Sequence, residues 1–363
     1  MDKIKNSAFV KKIKNMTLAQ KIISMCVLII VVVSAILVIV VNSYMNRINY
    51  IDKKFEYLTE EELKSELDIG EVEDPYEVLD STESKVDFEF KEGITNILLI
   101  GADRQGTNGY GRSDCIMIAT LDTNNKTIKL SSVLRDCYVQ IPGYNDNKIN
   151  ASYAFGGPDL LMETLEVNLG IKLDKYVYVD FDDFKNVIEV LGGADIELTE
   201  KETEKVFGSR KEAGKYPLDA KECLNYVRIR KIDSDFGRTS RQRTLMTALY
   251  EEFKNKPMTE LISTCTEILP YINTNLTKTE ILDLLQTAVS IGNLEIQQHV
   301  VPADGTYKFA TTSSGASIIS LDFTENSKLL YQFIYNKEIE ESTEVTESST
   351  QESTVVEASV TIE

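Results

Sequence analysis

The stretch "TNILLIGADRQGTNGYGRSDCIMIATLD", residues 95–122, contains two apolar runs separated by a glycine-rich loop. "TNILLIG" is typical of a buried strand that ends at a glycine, and "DCIMIATLD" is typical of a second strand. After the turn-forming "TNNK", "KTIKLSSVL" predicts a third strand. The stretch therefore predicts the centre of a β-sheet, with a loop at the end of its first strand, where open α/β sheets tend to bind ligands.

Helical and strand patterns alternate after this stretch. "PDLLMETLEVNLG" begins with Pro158 and ends with Gly170, and "DDFKNVIEVLGG" and "RTSRQRTLMTALYEEFK" predict two more helices. "DAKECLNYV" begins with the capping-box pair Asp219 and Glu222. "KYVYVDF" and "ADIELT" predict strands by their alternation. The order of these patterns predicts an α/β domain with helices on the faces of a sheet.

The composition changes on both sides of this domain. Residues 22–41 carry no charge and are long enough to span a bilayer as a transmembrane helix. The lysine-rich residues 1–21 and the acidic connector 42–92 predict a cytoplasmic N-terminus and an extracellular domain over 93–335, beside the lipid bilayer. A cleaved signal peptide is the less favoured alternative, because "VVNSYMNRI" is a poor cleavage site. Residues 336–363, rich in Ser, Thr and Glu, predict a disordered tail.

The charge of the chain narrows the class of ligand. A net charge of −19 and a pI near 4.7 argue against nucleic-acid binding, which requires patterned positive charge. Five of the ten arginines nevertheless lie in "YVRIRKIDSDFGRTSRQR", residues 226–243. A local arginine cluster in an acidic chain indicates a discrete anionic ligand.

The histidine and cysteine residues give little support to a zinc site, a catalytic triad or a disulfide framework. The single histidine, His299, leaves little room for a zinc site or a catalytic triad and is predicted to be structural. None of the five cysteines forms a CxxC motif, so free thiols are the favoured interpretation. A bridge between Cys115 and Cys137 stays an open alternative.

The glycine-rich loop, residues 101–114, has neither the Walker A ending nor the Rossmann glycine spacing. It offers two carboxylates, Asp103 and Asp114, and two guanidinium groups, Arg104 and Arg112. Carboxylates suit a hard cation such as Mg²⁺, and arginine forks match phosphate oxygens. Local salt bridges on a surface loop are the alternative.

The arginine cluster has two parts. Arg228 and Arg230 share a face if the chain is extended there, as the alternating apolar residues suggest. Asp233 and Asp235, which follow, are candidates to orient guanidinium groups or to accept a proton.

In the helix that follows, Arg238, Arg241 and Gln242 lie on one face, whereas Arg243 points elsewhere. Arg135 ends another strand and is a candidate for the same site. An anion there would offset the unfavourable placement of arginine in a first helical turn. The cluster therefore predicts a site for a diphosphate beside Mg²⁺.

Six motifs occur in order along the chain: "NILLIGADR", "GRSDCIMIATLD", "LSSVLRDCYVQIPG", "KINASYAFGGPDLLMETLEVNLGI", "YVYVDFDDFKNVIEVLGGADIEL" and "YVRIRKIDSDFGRTSRQR". Together they resemble the LytR-CpsA-Psr family of Gram-positive cell-envelope proteins, over almost all of residues 93–335. The resemblance implies a single domain with a central mixed β-sheet flanked by helices. It also implies a phosphotransferase that moves an anionic glycopolymer, such as wall teichoic acid or capsule, from a polyprenyl pyrophosphate carrier to peptidoglycan.

The resemblance also implies roles for residues. Mg²⁺, or another divalent cation such as Mn²⁺, would bind Asp103 and Asp114. The pyrophosphate would lie among eight side chains, namely Arg104, Arg112, Arg135, Arg228, Arg230, Arg238, Arg241 and Gln242. Catalytic roles would fall to Asp235, Arg135, Arg228 and Arg230. A pyrophosphatase with the same lipid-linked substrate, a membrane-bound transcriptional regulator and a non-catalytic glycan- or lipid-binding protein remain alternatives.

Overall fold

The computed structural model describes residues 49–50, 91–102, 111–173, 175–254, 256–291 and 295–336. The predicted membrane span and tail, most of the connector, and Asp103 and Arg104 lie outside these ranges. Within them, no helix is both long and apolar enough to cross a membrane.

Thirteen strands occur in these ranges. In chain order they are β1 (Asn49–Tyr50), β2 (Ile94–Ala102), β3 (Ser113–Asp122), β4 (Thr127–Val133), β5 (Tyr138–Val139), β6 (Asn147–Lys148), β7 (Lys175–Val179), β8 (Ala194–Leu198), β9 (Gly214–Leu218), β10 (Asn273–Thr274), β11 (Glu295–Val301), β12 (Tyr307–Thr311) and β13 (Ser317–Leu321). Seven of them form one sheet in the order β1-β10-β7-β2-β3-β4-β11. The sheet is mixed, as predicted. β3 runs antiparallel to both β2 and β4, whereas β7 runs parallel to β2 and β11 runs parallel to β4.

Four strands of the large sheet end, and β3 begins, along the same edge of the sheet. β2, β4, β7 and β11 end at this edge and β3 begins there, since Ala102 pairs with Ser113 and Val133 with Val301. The three strands predicted from residues 95–134 thus form the centre of the sheet. The loop between β2 and β3 leaves from the same edge.

The helices of the described ranges are α1 (Ile149–Leu169), α2 (Phe181–Leu191), α3 (Glu200–Phe207), α4 (Ala220–Val227), α5 (Asp235–Phe253), α6 (Met258–Ile268), α7 (Lys278–Ile291) and α8 (Phe323–Tyr335). The helix predicted from Pro158 is the second half of α1, which is kinked at Gly156 and Gly157. α5 begins at Asp235, three residues before its predicted start. It does not begin earlier because the backbone of Ser234 is extended. The predicted strand "ADIELT" exists as β8, but it pairs with β9 outside the large sheet.

Two hydrophobic cores hold these elements together. One lies between the sheet and helices α1 and α8, where Leu98, Ile100 and Ile118 are at most 2% exposed. The other joins the β8–β9 hairpin to α2, α4 and α5 around Cys223 and Leu245. Each fully buried aliphatic side chain contributes about 1.5–3 kcal/mol. The second core fixes α4 and α5, which carry the arginine cluster, relative to the sheet.

The opposite face of the central strands is less well covered. In β2 the side chains alternate between buried Leu98 and Ile100 and half-buried Ile97 and Leu99. Val177 and Val179 of β7 are half-buried as well. Because β2 and β7 are adjacent and present these side chains on one face, this part of the sheet has a partly open apolar surface, beside the buried Met117 of β3.

Candidate active site

Asp114 lies at the centre of the site, at the start of β3. Its carboxylate forms an ion pair with Nη1 of Arg135, the second residue after β4. Nη2 of Arg230 lies 3.2 and 3.1 Å from its Oδ1 and Oδ2 atoms. Gln242 on α5 also approaches, with Nε2 3.5 Å from the backbone oxygen of Asp114. The structure therefore brings together four predicted residues that are distant in sequence.

Asp235 is the second carboxylate of the site, at the start of α5. Its Oδ1 lies 3.8 Å from Nε of Arg135 and 2.7 Å from Nη2 of Arg238. Burial raises the pKa of Asp235, although the charges of Arg238 and Arg135 act in the opposite direction. Its Oδ2 atom is buried and accepts no hydrogen bond from the described residues. Asp235 is thus a carboxyl group with a raised proton affinity and an open acceptor atom.

Arg238 is buried without adequate hydrogen-bond acceptors. Arg238 is 3% exposed. In the described part of the chain, none of its Nε, Nη1 and Nη2 atoms donates a hydrogen bond with good geometry. The contact with Asp235 is ionic only. Burial lowers the pKa of Arg238, whereas the charge of Asp235 acts against this change. A buried guanidinium with open donors suits an anion that accepts several hydrogen bonds.

The prediction of an extended chain at Arg228 and Arg230 is wrong. α4 ends at Val227, and Arg228 caps it with φ −100° and ψ 1°; its backbone N–H donates to the carbonyls of Leu224 and Asn225 at 3.2 Å. The guanidinium carbon of Arg228 lies 4.1 Å from the ring centroid of Phe181, which begins α2 after β7. Arg228 therefore lies at the same sheet edge, stacked on a ring, and only Arg230 of this pair contacts Asp114.

Arg241 is engaged with other residues. Its Nε donates to Oε1 of Glu202 at 2.7 Å, and its Nη2 pairs with Asp233. Glu202 belongs to the capping box of α3, so Arg241 links α5 to the second core. A contact between Arg241 and a pyrophosphate stays a prediction, as does one for Arg112, which is exposed next to β3.

Two residues at the site, Asp136 and Lys148, were not predicted from the sequence. Asp136 lies 3.6 Å from Nε of Arg135, and its Oδ1 accepts from Nζ of Lys148 at 2.9 Å. Lys148 adds one more cation to the edge of the sheet. The pattern of "NDNKIN" gave no local signal, because a lysine before a helix is common, whereas the fold alone brings Lys148 to Asp136.

The remaining predictions concern residues around the site. The described cysteines are free, so a disulfide between Cys115 and Cys137 is excluded. Burial raises the pKa of Cys115 to about 12.

His299 stacks on Phe333 with 5.1 Å between ring centroids, in agreement with a structural role. Arg243 donates to Oε1 of Gln298 on β11 at 3.0 Å, which agrees with its predicted separate direction.

A cation site was predicted at Asp103 and Asp114. The described residues contain no group of three or more His, Cys, Asp or Glu that could hold a metal ion. Asp103 lies outside these residues, but the residue before it, Ala102, pairs with Ser113, the residue before Asp114. One or two carboxylates with phosphate oxygens and water form the usual Mg²⁺ shell. The donor chemistry at this edge therefore fits a divalent cation that also binds phosphate.

The comparison with known protein families identifies the class of this protein. Residues 62–332 match the model of the LytR_cpsA_psr family, and the chain belongs to this family. The family predicted from the six motifs is thus confirmed.

Relatives and solved structures agree with this assignment. The regulatory protein MsrR of Staphylococcus aureus is 34% identical over 249 residues, 67% of this chain and 75% of its own. The polyisoprenyl-teichoic acid–peptidoglycan teichoic acid transferase TagV of Bacillus subtilis is 39% identical over 181 residues, 46% of each chain. The crystal structure of B. subtilis TagV superimposes with a TM-score of 0.55 and 29% identity, covering 69% of this chain and 100% of TagV. A structure of TagT bound to LI-WTA gives a TM-score of 0.57 and 26% identity, covering 69% of this chain and 95% of TagT.

Proposed function

We propose that this protein is a membrane-anchored, extracellular phosphotransferase that moves an anionic glycopolymer from a polyprenyl pyrophosphate carrier to peptidoglycan. The observation that carries the proposal is the buried guanidinium of Arg238, whose donors form no hydrogen bond with the described residues, close to Arg135 and Arg230. Beyond its ion pair with Asp235, this guanidinium has donors that no described residue satisfies, and a diphosphate offers both charge and several acceptors. The transferase name of TagV supports a teichoic acid as the class of cargo.

In the proposed reaction an acceptor hydroxyl on peptidoglycan attacks the phosphorus that carries the glycopolymer. A new P–O bond forms, and the bond from this phosphorus to the bridging oxygen breaks. The leaving group is polyprenyl monophosphate, which keeps the bridging oxygen and its electron pair. Arg135, Arg230 and Arg238 stabilise the charge that develops on the phosphate oxygens.

Asp235 is the proposed acceptor of the proton from the attacking hydroxyl. Its unpaired Oδ2 is available for a hydrogen bond, and burial raises its pKa toward the range useful for a general base. Arg135 and Arg238 orient the carboxylate through Oδ1. The proton thus leaves the hydroxyl as the new bond forms.

Mg²⁺ is the proposed cofactor, held by Asp103 and Asp114. When bound, a divalent cation neutralises negative charge on phosphate oxygens and polarises them. Asp114 also accepts from Arg135 and Arg230, so the carboxylate that would hold the cation also positions these two guanidinium groups. Chelation by EDTA is expected to abolish transfer and Mg²⁺ or Mn²⁺ to restore it.

The partly open apolar surface of the sheet supports a lipid-linked donor. Leu99, Val177 and Val179 are half-buried on this surface, and the strands that carry them end at the site. Covering apolar side chains with a polyprenyl chain would remove them from water. The proposed membrane anchor, residues 22–41, would hold the domain close to such a carrier.

The decisive test uses the full chain in nanodiscs with labelled polyprenyl pyrophosphate glycan. With peptidoglycan and Mg²⁺ we expect label to become covalently attached to peptidoglycan through a phosphodiester. Release of label as free phosphorylated glycan, equal with and without peptidoglycan, would instead establish a pyrophosphatase. No reaction in either case would contradict the proposed function.

A membrane-bound transcriptional regulator is the second candidate, favoured by the name of the staphylococcal relative. The open guanidinium donors of Arg238 favour phosphate chemistry over this alternative.

A further inference from the structure

Three aromatic rings form a continuous row that begins in the first turn of α5, at the residue after Asp235. Phe236 directly follows Asp235 and lies 5.1 Å from Tyr307, measured between ring centroids. Tyr307 contacts Phe309 edge to face, with 5.5 Å between centroids. We call Phe236, Tyr307 and Phe309 the aromatic row. The row runs from Phe236 in the first turn of α5 to the exposed side chain of Phe309.

The outer end of the row is exposed to an unusual degree. Phe309 is 67% exposed, more than any other large apolar side chain in the described part of the chain. Phe236 and Tyr307 are half-buried and pack against the first core, so they do not need Phe309 for their own burial. Exposed aromatic surface next to a reaction centre often marks a contact with a ligand or partner.

The β12–β13 hairpin, which carries Tyr307 and Phe309, is fixed to the turn after β4 that contains Arg135 and Asp136. The backbone N–H of Ile319 donates to the carbonyl of Asp136 at 2.9 Å. The backbones of Cys137 and Ile319 also pair in an isolated parallel β-bridge. Phe309 pairs directly with Ile319 across the hairpin. Because Asp136 follows Arg135, the position of the rings is coupled to that of the site.

Resting on the proposed function, we propose that the aromatic row binds sugar rings of the acceptor glycan strand of peptidoglycan. The faces of pyranose rings present C–H groups, which pack well on the electron-rich faces of aromatic rings. A rigid row of rings costs little conformational entropy on binding. The row would guide a glycan strand so that its hydroxyl reaches Asp235 and the donor phosphate.

The composition of the hairpin favours a glycan over a membrane surface. The segment between β12 and β13 is Thr312, Ser313, Ser314, Gly315 and Ala316, which is mostly polar. A hairpin that inserts into a bilayer would carry its apolar and aromatic residues at the tip. Here the exposed ring lies on a strand next to hydroxyl groups, which suits a ligand that is itself rich in hydroxyl groups.

The test takes advantage of the absence of tryptophan from the sequence. Phe309→Trp keeps an aromatic face and adds a fluorescent reporter, and Ile262→Trp on α6, also an exposed apolar position at 56%, is the matched control. With the full chain in detergent, soluble peptidoglycan glycan fragments are expected to change the emission at position 309 but not at position 262. Phe309→Ala is expected to weaken the Kd for these fragments on the order of three- to tenfold, and Ile262→Ala to leave it unchanged.

The outcomes separate the two proposals. Unchanged fragment affinity in Phe309→Ala would overturn the aromatic row as an acceptor site, even if the intact protein transfers glycopolymer. Quenching at position 309 by brominated lipids in vesicles, without any response to fragments, would overturn it in favour of a membrane contact. Fragment binding that depends on Phe309, without formation of a phosphodiester, would support the row and contradict the proposed function.

Discussion

Removing a charged donor from water without enough acceptors costs several kcal/mol, and Arg238, which is 3% exposed and ion-paired with Asp235, donates no hydrogen bond to the described residues. We therefore expect Arg238→Lys to impair both donor binding and transfer. Lysine keeps the charge but loses the planar fork that binds two phosphate oxygens. The loss of one charge-assisted hydrogen bond corresponds to about 1.5–3 kcal/mol, or roughly ten- to a hundredfold in affinity or rate. The measurements are the Kd for a polyprenyl pyrophosphate and the rate of transfer.

Arg243→Lys is the control, because Arg243 donates to Gln298 on β11 and not to the carboxylates of the site. Its effect on transfer should be small. Equal, mild losses in both variants would mean that the cluster acts only as diffuse positive charge.

Arg241 is expected to matter for stability. Its guanidinium is buried against Glu202 and Asp233, and removal of one partner from such a pair leaves an uncompensated buried charge. We expect Arg241→Met to lower the free energy of unfolding in urea by about 3–5 kcal/mol.

The control for this prediction is Arg210→Met, since Arg210 pairs with Glu200 on the surface, where both side chains are more than half exposed. An exposed pair contributes about 0–1 kcal/mol. If Arg241→Met unfolds at the same urea concentration as Arg210→Met but loses donor binding, Arg241 is a ligand-binding residue rather than a structural one.

At the scale of elements, the packing of β11 against α8 creates a dependence of stability on pH. His299 on β11 stacks on Phe333 of α8, and burial, with a smaller effect from Arg243, lowers its pKa. The folded chain thus keeps a neutral imidazole where the unfolded chain binds a proton near pH 6.5. This residue therefore lowers stability as the pH falls through about 6.5 toward the lower pKa of the folded state.

His299→Gln removes this titration and is expected to lose less stability on acidification. The measurement is urea unfolding of both proteins at pH 7.5, 6.5 and 5.5, where the difference between them should change mainly below about 6.5. A difference that stays constant over this range would show that His299 does not titrate differently in the two states.

For the whole molecule, the lysine-rich N-terminus and the uncharged residues 22–41 predict that the domain lies outside the cell. Protease added to wall-stripped cells is expected to digest the chain beyond about residue 43, where the predicted span ends. A tag at the N-terminus should stay protected and serves as the control. Full protection of the domain, with a protease-sensitive N-terminal tag, would contradict the proposed orientation.

Features set by neighbours in the sequence could be predicted directly. The strands of residues 95–134 follow from their apolar runs, and the capping box of Asp219 and Glu222 is present in α4 as predicted. Gly170 ends α1 in the left-handed conformation, as its place after an apolar helical pattern indicates. Within the site, the sequence also singled out Asp114, Arg135, Arg230, Arg238, Asp235 and Gln242. The structure places these residues together at one edge of the sheet, whereas their roles in binding and catalysis stay predictions.

Only the tertiary structure decided which of these residues meet and which partners they have. Arg230 and Asp114 are 116 positions apart, and Arg241 and Glu202 are 39 apart, so no local pattern could pair them. The assignment of Arg228 to an extended segment was wrong because its backbone N–H bonds back to the last turn of α4, which Arg228 caps. Asp136 and Lys148 joined the site only through the turn after β4 and the start of α1. The physical reason is that ion pairs form between atoms a few ångströms apart, and long-range packing sets those distances.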